Sequence, residues 1–582
     1  VEILLLASGF NSLTQRVFAA LRDRGHSVAV ELALGDAAAL RAALARLKPQ
    51  LVLAPMLKRA IPADVWSSVT CLVVHPGPLG DRGPSSLDRA VLERRDAWGV
   101  TVLQAEEAMD AGPVWATVPC ALPPRGKSDL YRGEVADAAV EAVLLAVERY
   151  ASGAHVPLSQ DEPEVRATVL SRPLLRQDER RIDWQRDTTA EVLRRLRSAD
   201  SQPGVLDEIA GEEWFLHGGH EEDRLRGAPG ELLAARAGAV CRATVDGAVW
   251  IPQLRARRRP GGPPPFTLPA TLALAVAARG RPERRLPPLS EAPVELELPP
   301  GRRTWSDIRY QEVGEVGLLW CGFPGGALST HHCRRLLAAY REACRRPTSV
   351  LVLGSSRDFF ANGIHLNVIE AAPDPAAESW ANINAIDDVV EAVLTTTDRL
   401  VVAALGGNAA AGGVMLAQAA DEVWCRRGVV LNPHYRLMGL YGSEYWTYTL
   451  PQRVGPAEAD RMMAAALPVG TERGLDLGLV DRVLGCGPEE FADAVIRSAQ
   501  RLAASPGAGA RTARKKADLD RREAEKPLHA YRNDELARMH AIFFDAEHPY
   551  HALRSAFVRK EAPAGTPEHL RAYHRSAVSP SP

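Results

Sequence analysis

Seven residues, His434, Tyr435, Tyr441, Glu444, Tyr445, Trp446 and Tyr448, gather imidazole, phenol and carboxyl groups into one short stretch of a chain that is only 6% aromatic. A carboxylate beside phenols can take up a proton and return it within one reaction cycle. Upstream, 404-ALGGNAAAGG-413 follows the buried-strand pattern 400-LVVAAL-405. Gly and Ala at that density let a backbone approach a ligand closely and aim free N–H donors at it, which is the physics of an oxyanion hole. A second strand and loop, 348-TSVLVLGSSRDFFANGIHLNVIE-370, ends in Asn362-Gly363-Ile364 and offers another donor.

A different pair stands near the start of the chain. The loop 75-HPGPLGDRGPSSLD-88 holds His75 at the end of an apolar run, and after the strand 99-GVTVLQAE-106 the segment 109-MDAGPVWA-116 opens a tight turn with Asp110. A His and an Asp on adjacent strand ends can handle a proton. Asn11 and Gln15 in 8-SGFNSLTQRV-17 and Arg132 in 129-DLYRGEV-135 add polar groups at strand-end or loop positions on the same side.

The elements that must position these residues follow from periodicity. Short apolar runs at 3–6, 27–31, 51–54 and 72–74 alternate with the amphipathic stretches 13-LTQRVFAALRDRG-25 and 36-DAAALRAALARLK-48, a rhythm that predicts a parallel α/β sheet with ligands beyond the carboxyl ends of its strands. A linker-like stretch at 153–165 precedes the short strands of 231–256, and the Pro-rich 280–303 breaks regular structure before a last unit of strand, helix, strand and glycine run. The tail 507–560 reads as helical, its Arg511, Arg514, Lys515 and Lys516 forming either a phosphate contact or a solvated face, and the Pro, Ser and Ala-rich end reads as disordered.

Composition narrows the function classes. A chain of 582 residues needs several cores, and its 70 basic and 72 acidic residues nearly cancel, so no global field points to nucleic acid or a membrane surface. The eight cysteines are scattered, without C-x-x-C or histidines at ligand spacing, which predicts neither a zinc site nor a disulfide framework. The short apolar start lacks a basic lead and a cleavage pattern, and no segment is long and apolar enough to span a bilayer. The expectation is a cytoplasmic protein without a metal.

The pairing of Asn362-Gly363-Ile364 with the Gly412-Gly413 turn resembles the crotonase (enoyl-CoA hydratase/isomerase) superfamily, which implies Ile364 and Gly412 as oxyanion donors. It also implies glutamates where this chain has Met415 and His434, so hydratase chemistry is replaced, and Tyr435 and Glu444 become the proton-moving groups. The strand-borne His75, the Arg-Gly that follows and D-x-G-P-x-x-A at Asp110 resemble the folate-dependent formyltransferases. That implies His75 and Asp110 as catalytic groups, 54-APMLKRAIP-62 as a folate pocket, and Asn11, Gln15 and Arg132 as binding groups. Val73 stands where that family carries asparagine. The segment 175-LRQDERRIDW-184, with Asp183 and Trp184, resembles the start of the small second domain of the same family.

The fold class so implied is α/β: a Rossmann-like formyltransferase domain over 1–155, a small β-barrel-like (OB-type) domain over 165–280, a linker over 281–303, a crotonase ββα spiral over 304–505, a helical extension over 506–560 and a disordered tail over 561–582. The combination resembles the HypX/HoxX hydrogenase maturation proteins. It implies formyl transfer from 10-formyltetrahydrofolate to coenzyme A, decarbonylation of formyl-CoA to carbon monoxide for the iron of [NiFe]-hydrogenase, and transient contact with hydrogenase assembly proteins. The alternatives are a formyltransferase acting on an amine or sugar nucleotide with an accessory crotonase-type thioester hydrolase, and a non-catalytic delivery scaffold.

Overall fold

The computed structural model describes residues 1–33, 35, 37–281, 288–355 and 357–575. The chain divides into two compact units, one of Val1–Arg181, Arg194–Pro203 and Ala562–Pro582, the other of Ile182–Leu193 and Gly204–Glu561.

The first unit is built on a six-stranded sheet in the spatial order Ser27–Leu32, Glu2–Ala7, Leu51–Met56, Cys71–His75, Ala97–Gln104 and Val114–Ala121. Ile3, Leu4, Leu5, Leu6, Val52 and Leu53 are buried to 1% or less, the continuous apolar pattern of strands covered on both faces. Each such side chain contributes about 2 kcal/mol by leaving water. The helix Ser12–Asp23 covers the sheet with Leu13, Val17, Phe18 and Leu21, and Asn11 caps it by accepting the Thr14 N–H at 3.0 Å. The expectation of a parallel sheet holds for the first four strands only. Ala97–Gln104 pairs antiparallel with Cys71–His75, and Val114–Ala121 antiparallel with Ala97–Gln104. The connection between those last two strands is too short for a parallel crossover.

The disordered tail expected over 561–582 is corrected for its described part. Thr566 Oγ1 accepts from the Leu32 N–H at 2.8 Å and donates to Glu31 Oε1 at 2.7 Å, and Val28 and His574 exchange backbone hydrogen bonds of 3.0 and 2.9 Å. The edge of Ser27–Leu32 would otherwise leave N–H and C=O groups unpaired, and this partner outweighs the polar composition of the tail. Residues 576–582 lie outside the described residues.

The second unit opens with two four-stranded antiparallel sheets drawn from strands between Val205 and Pro269. Trp184 anchors within it, its indole N–H donating to Asp207 Oδ2 at 2.5 Å while the Arg242 guanidinium lies 4.1 Å from its ring centroid. The linker expected over 281–303 is corrected at Ser290–Ala292: Ala235 N–H donates to Ser290 O and Ala292 N–H to Ala235 O, so this Pro-rich segment satisfies the edge strand Leu232–Arg236. Residues 282–287 lie outside the described residues.

The remainder is a repeating spiral. A six-stranded sheet runs Ile308–Val313, Val316–Cys321, Val350–Ser355, Leu400–Leu405, Glu422–Arg426 and Arg482–Leu484, parallel after its first pair. A smaller sheet runs Phe359–Ala361, Asn408–Ala410, Val430–Asn432 and Val469–Gly470. Three times a strand of the large sheet is followed directly by a strand of the small one, so the turns at 362–364 and 411–413 stack side by side. Helices Thr330–Cys344 and Pro375–Leu394 cover the turns. His332 is buried and stacks on Phe323 at 4.4 Å between centroids, a packing residue. The helices Ala508–Glu525, Leu528–Phe544 and Pro549–Val558 follow, and Leu528, Leu536, Met539, Phe543 and Tyr550 join the same core.

Candidate functional site

Two constellations lie at strand ends, one in each unit. In the first, His75 ends the strand Cys71–His75 and is 5% exposed. Its Nε2 lies 2.9 Å from Asp81 Oδ2 and its Nδ1 3.6 Å from Asp110 Oδ2. The hydrogen-bond partner is therefore Asp81, within the loop 75–88 but not singled out from the sequence. Asp110 stands on the other ring nitrogen beyond hydrogen-bond range, accepts from the Gly83 N–H at 3.3 Å, and has a left-handed backbone with φ of 58°. Arg172 donates to Asp81 Oδ1 at 2.9 Å. Burial works against the Asp81 carboxylate, but the bonds from His75, Arg172 and Ser86 outweigh it and hold its pKa below the usual carboxylate value. Gly77 is required here, because a Cβ would collide with both His75 Nε2 and Asp81 Oδ2.

The residues expected to bind, Asn11, Gln15 and Arg132, gather around the loop after the strand Glu2–Ala7. Asn11 touches the Tyr131 phenol, one residue from Arg132, and burial pushes the Tyr131 pKa up against that bond. Gln15 Nε2 donates to Phe10 O at 3.0 Å and Arg132 Nη1 to Ser128 O at 3.4 Å. Lys58 N–H donates to Ser8 Oγ at 2.9 Å, tying the loop 54–62 to the loop that carries Asn11.

In the second constellation the two turns meet. Gly363 has φ of 75°, and a Cβ on it would stand 3.1 Å from the Gly412 nitrogen. Among the described residues neither the Ile364 nor the Gly412 amide donates to a protein acceptor. A Cβ on Gly412 would fall onto Glu444 Oε1, so the Glu444 carboxyl lies against this turn. Its Oε2 accepts from Tyr435 Oη at 2.9 Å and from the Ser443 N–H at 3.0 Å. Tyr435 and Glu444 are 4% and 1% exposed. Burial, with Asp387 next in weight, pushes the Glu444 pKa up, and burial followed by Glu444 pushes Tyr435 well up. Tyr435 is a neutral donor at physiological pH. Met415 is fully buried in the helix Gly412–Gln418, and His434 precedes Tyr435 without a hydrogen bond to Glu444.

Behind Glu444 stand groups that the sequence did not single out. Asp387 Oδ1 accepts the Glu444 N–H at 2.8 Å, and Glu535 Oε2 accepts the Tyr445 N–H at 2.9 Å. The basic cluster in the tail is engaged elsewhere: Arg511 pairs with Glu422 at 2.6 Å and Lys515 with Asp421 at 2.7 Å. These ion pairs fasten the helix Ala508–Glu525 rather than leaving two cations for a phosphate.

Residues 174–261 match the formyl transferase C-terminal domain and residues 325–564 the enoyl-CoA hydratase/isomerase family. A methionyl-tRNA formyltransferase of Roseiflexus castenholzii is 32% identical over 28% of this chain and 46% of its own. The chain thus joins formyltransferase and crotonase-type domains. A hydrogenase maturation factor HoxX of Bradyrhizobium diazoefficiens is 47% identical over 97% of this chain and 96% of its own, and a crystal structure of HypX from Aquifex aeolicus with tetrahydrofolic acid superimposes with a TM-score of 0.91 at 40% identity, covering 98% of both chains. The chain belongs to the HypX/HoxX hydrogenase maturation factors. Among the described residues no helix is long and apolar enough to cross a membrane.

Proposed function

We propose that this chain makes carbon monoxide for hydrogenase assembly in two steps: formyl transfer from 10-formyltetrahydrofolate to coenzyme A, then decarbonylation of formyl-CoA. The observation that carries the reading is the Tyr435–Glu444 pair held against the Gly412 turn, where neither Met415 nor His434 supplies the acid of a hydratase. Tetrahydrofolic acid bound to the Aquifex HypX supports the folate donor.

Coenzyme A supplies the thiol that accepts the formyl group and later leaves. In the first site Asn11, Gln15 and Arg132 hold the folate, while His75 takes the thiol proton and returns it to the folate amine as the carbon–nitrogen bond breaks. Asp81 accepts from the imidazole and Asp110 stands at its other nitrogen, so the ring is held in one orientation for that transfer. In the second site the Ile364 and Gly412 amides hold the formyl oxygen. Glu444 removes the formyl proton through Oε1 as the carbon–sulfur bond breaks, and delivers it to the sulfur. Tyr435 occupies Oε2 and so fixes which oxygen reacts. The products are carbon monoxide and the free thiol, with no change in oxidation balance.

The test is to incubate the full chain with both substrates, trap released gas on reduced haemoglobin and assay formyl-CoA. Glu444→Gln is expected to accumulate formyl-CoA, whereas His75→Ala is expected to make neither product. Carbon monoxide at the same rate from both variants as from the unmodified protein would overturn the proposal.

A further inference from the structure

Glu444 and Tyr445 both have left-handed backbones, with φ of 57° and 58°, although neither is glycine. Each such residue costs roughly 1–3 kcal/mol and persists only where its surroundings over-determine it. Here the surroundings are two buried carboxyls from different helices. Asp387, from Pro375–Leu394, accepts the Glu444 N–H at 2.8 Å and the Ser443 hydroxyl at 2.8 Å. Glu535, from Leu528–Phe544, accepts the Tyr445 N–H at 2.9 Å, the Thr447 N–H at 2.8 Å and the Thr447 hydroxyl at 2.5 Å. Both carboxyls are fully buried. An apolar side chain at either position would leave these amides unsatisfied.

We propose that Asp387 and Glu535 are positioning residues for Glu444, gripping consecutive left-handed amides so that Oε1 is held against the Gly412 turn. This rests on the reading of Glu444 as the base of carbon monoxide release. The second consequence is electrostatic. The groups facing Glu444 are Tyr435, Cys333 from Thr330–Cys344, Asp387 from Pro375–Leu394, and Glu535 from Leu528–Phe544. Arg532, the nearby cation, is 3.9 Å from Asp387 and is bonded to Asp388 and Glu391 at 2.7 and 2.8 Å. Three buried carboxyls therefore share one nearby cation, so each that ionises hinders the next, and ionising Glu444 is made harder. A carboxylate that is hard to form binds a proton strongly, as abstraction from a formyl carbon requires.

The test supplies formyl-CoA directly to the full-length protein and follows carbon monoxide release against pH. In the unmodified protein the rate should rise with pH as Glu444 ionises. In Asp387→Asn, which keeps shape and one acceptor, the maximal rate should fall by about tenfold or more with KM little changed. Because a like charge is gone, the midpoint of the rise should also move to lower pH. Glu535→Gln should lose maximal rate, with partial recovery in Glu535→Asp. An unmoved midpoint and an unchanged maximal rate in Asp387→Asn would overturn the inference. A loss of rate with an unmoved midpoint would overturn its electrostatic half. If the variants fail to fold, infrared titration of the unmodified protein decides: a protonated buried carboxyl persisting at neutral pH is expected, and its absence would overturn the electrostatic half. No release from formyl-CoA by the unmodified protein would instead sink the proposed function itself.

Discussion

Gly412 and Gly77 show how single residues set both sites. Replacing Gly412 by alanine puts a methyl group onto Glu444 Oε1, so the carboxyl must move away from the turn. Overpacking of this kind costs about 1–3 kcal/mol, and carbon monoxide release in Gly412→Ala is expected to fall far more than stability, measured by gas trapping beside thermal unfolding. At the first site Asp81 has its pKa depressed. Its contribution to stability is present above the unfolded carboxyl value of about 3.9 and is lost as pH falls through the lower folded value. Acid unfolding of Asp81→Asn should accordingly show a shallower pH dependence below about pH 4 than the unmodified protein. Tyr435 and Glu444 stood out in the chain by their aromatic and acidic cluster and His75 through its resemblance to formyltransferases, and the structure sets each in one of the two constellations. Asp387 and Glu535 did not stand out, because their roles depend on hydrogen bonds to amides far away in sequence, and no spacing rule links a helix at 375–394 or 528–544 to a loop at 443–447.

At the scale of elements, the C-terminal helices are part of the second site rather than an appendage. Leu528–Phe544 brings Glu535 to the Tyr445 amide and buries Leu536, Met539 and Phe543 in the common core. Met539 is fully buried, so Met539→Ala should cost about 2–5 kcal/mol in a denaturant titration, and release activity should fall with it. Burial, opposed by the Thr447 and Tyr445 bonds and reinforced by Asp387, raises the Glu535 pKa to about 8. A raised carboxyl contributes stability that is full below its unfolded value, about 4.3, and lost as pH rises through its folded one. Unfolding measured between these values should therefore show a downward slope with rising pH that flattens in Glu535→Gln. Most elements were readable from apolar period. The exceptions have physical causes: the 97–121 hairpin pairs antiparallel because its connection is short, while Ser290–Ala292 and 566–575 are ordered by unpaired strand edges that local composition does not reveal.

At the scale of the whole molecule, two constellations of different design stand in one chain. One places a histidine between Asp81 and Asp110, and the other sets a carboxyl and a phenol beside the Ile364 and Gly412 amides, which have no acceptor among the described residues. That division is what a two-step conversion of a folate formyl group requires, since the first step needs a base matched to a thiol and the second a base strong enough for a formyl hydrogen. The most direct measurement is isotopic. With 10-formyltetrahydrofolate labelled with carbon-13 in the formyl group, and with coenzyme A present, the released carbon monoxide should carry the label, should disappear when coenzyme A is omitted, and should be replaced by labelled formyl-CoA in Glu444→Gln. Labelled formate without carbon monoxide, or carbon monoxide that forms without coenzyme A, would contradict the account.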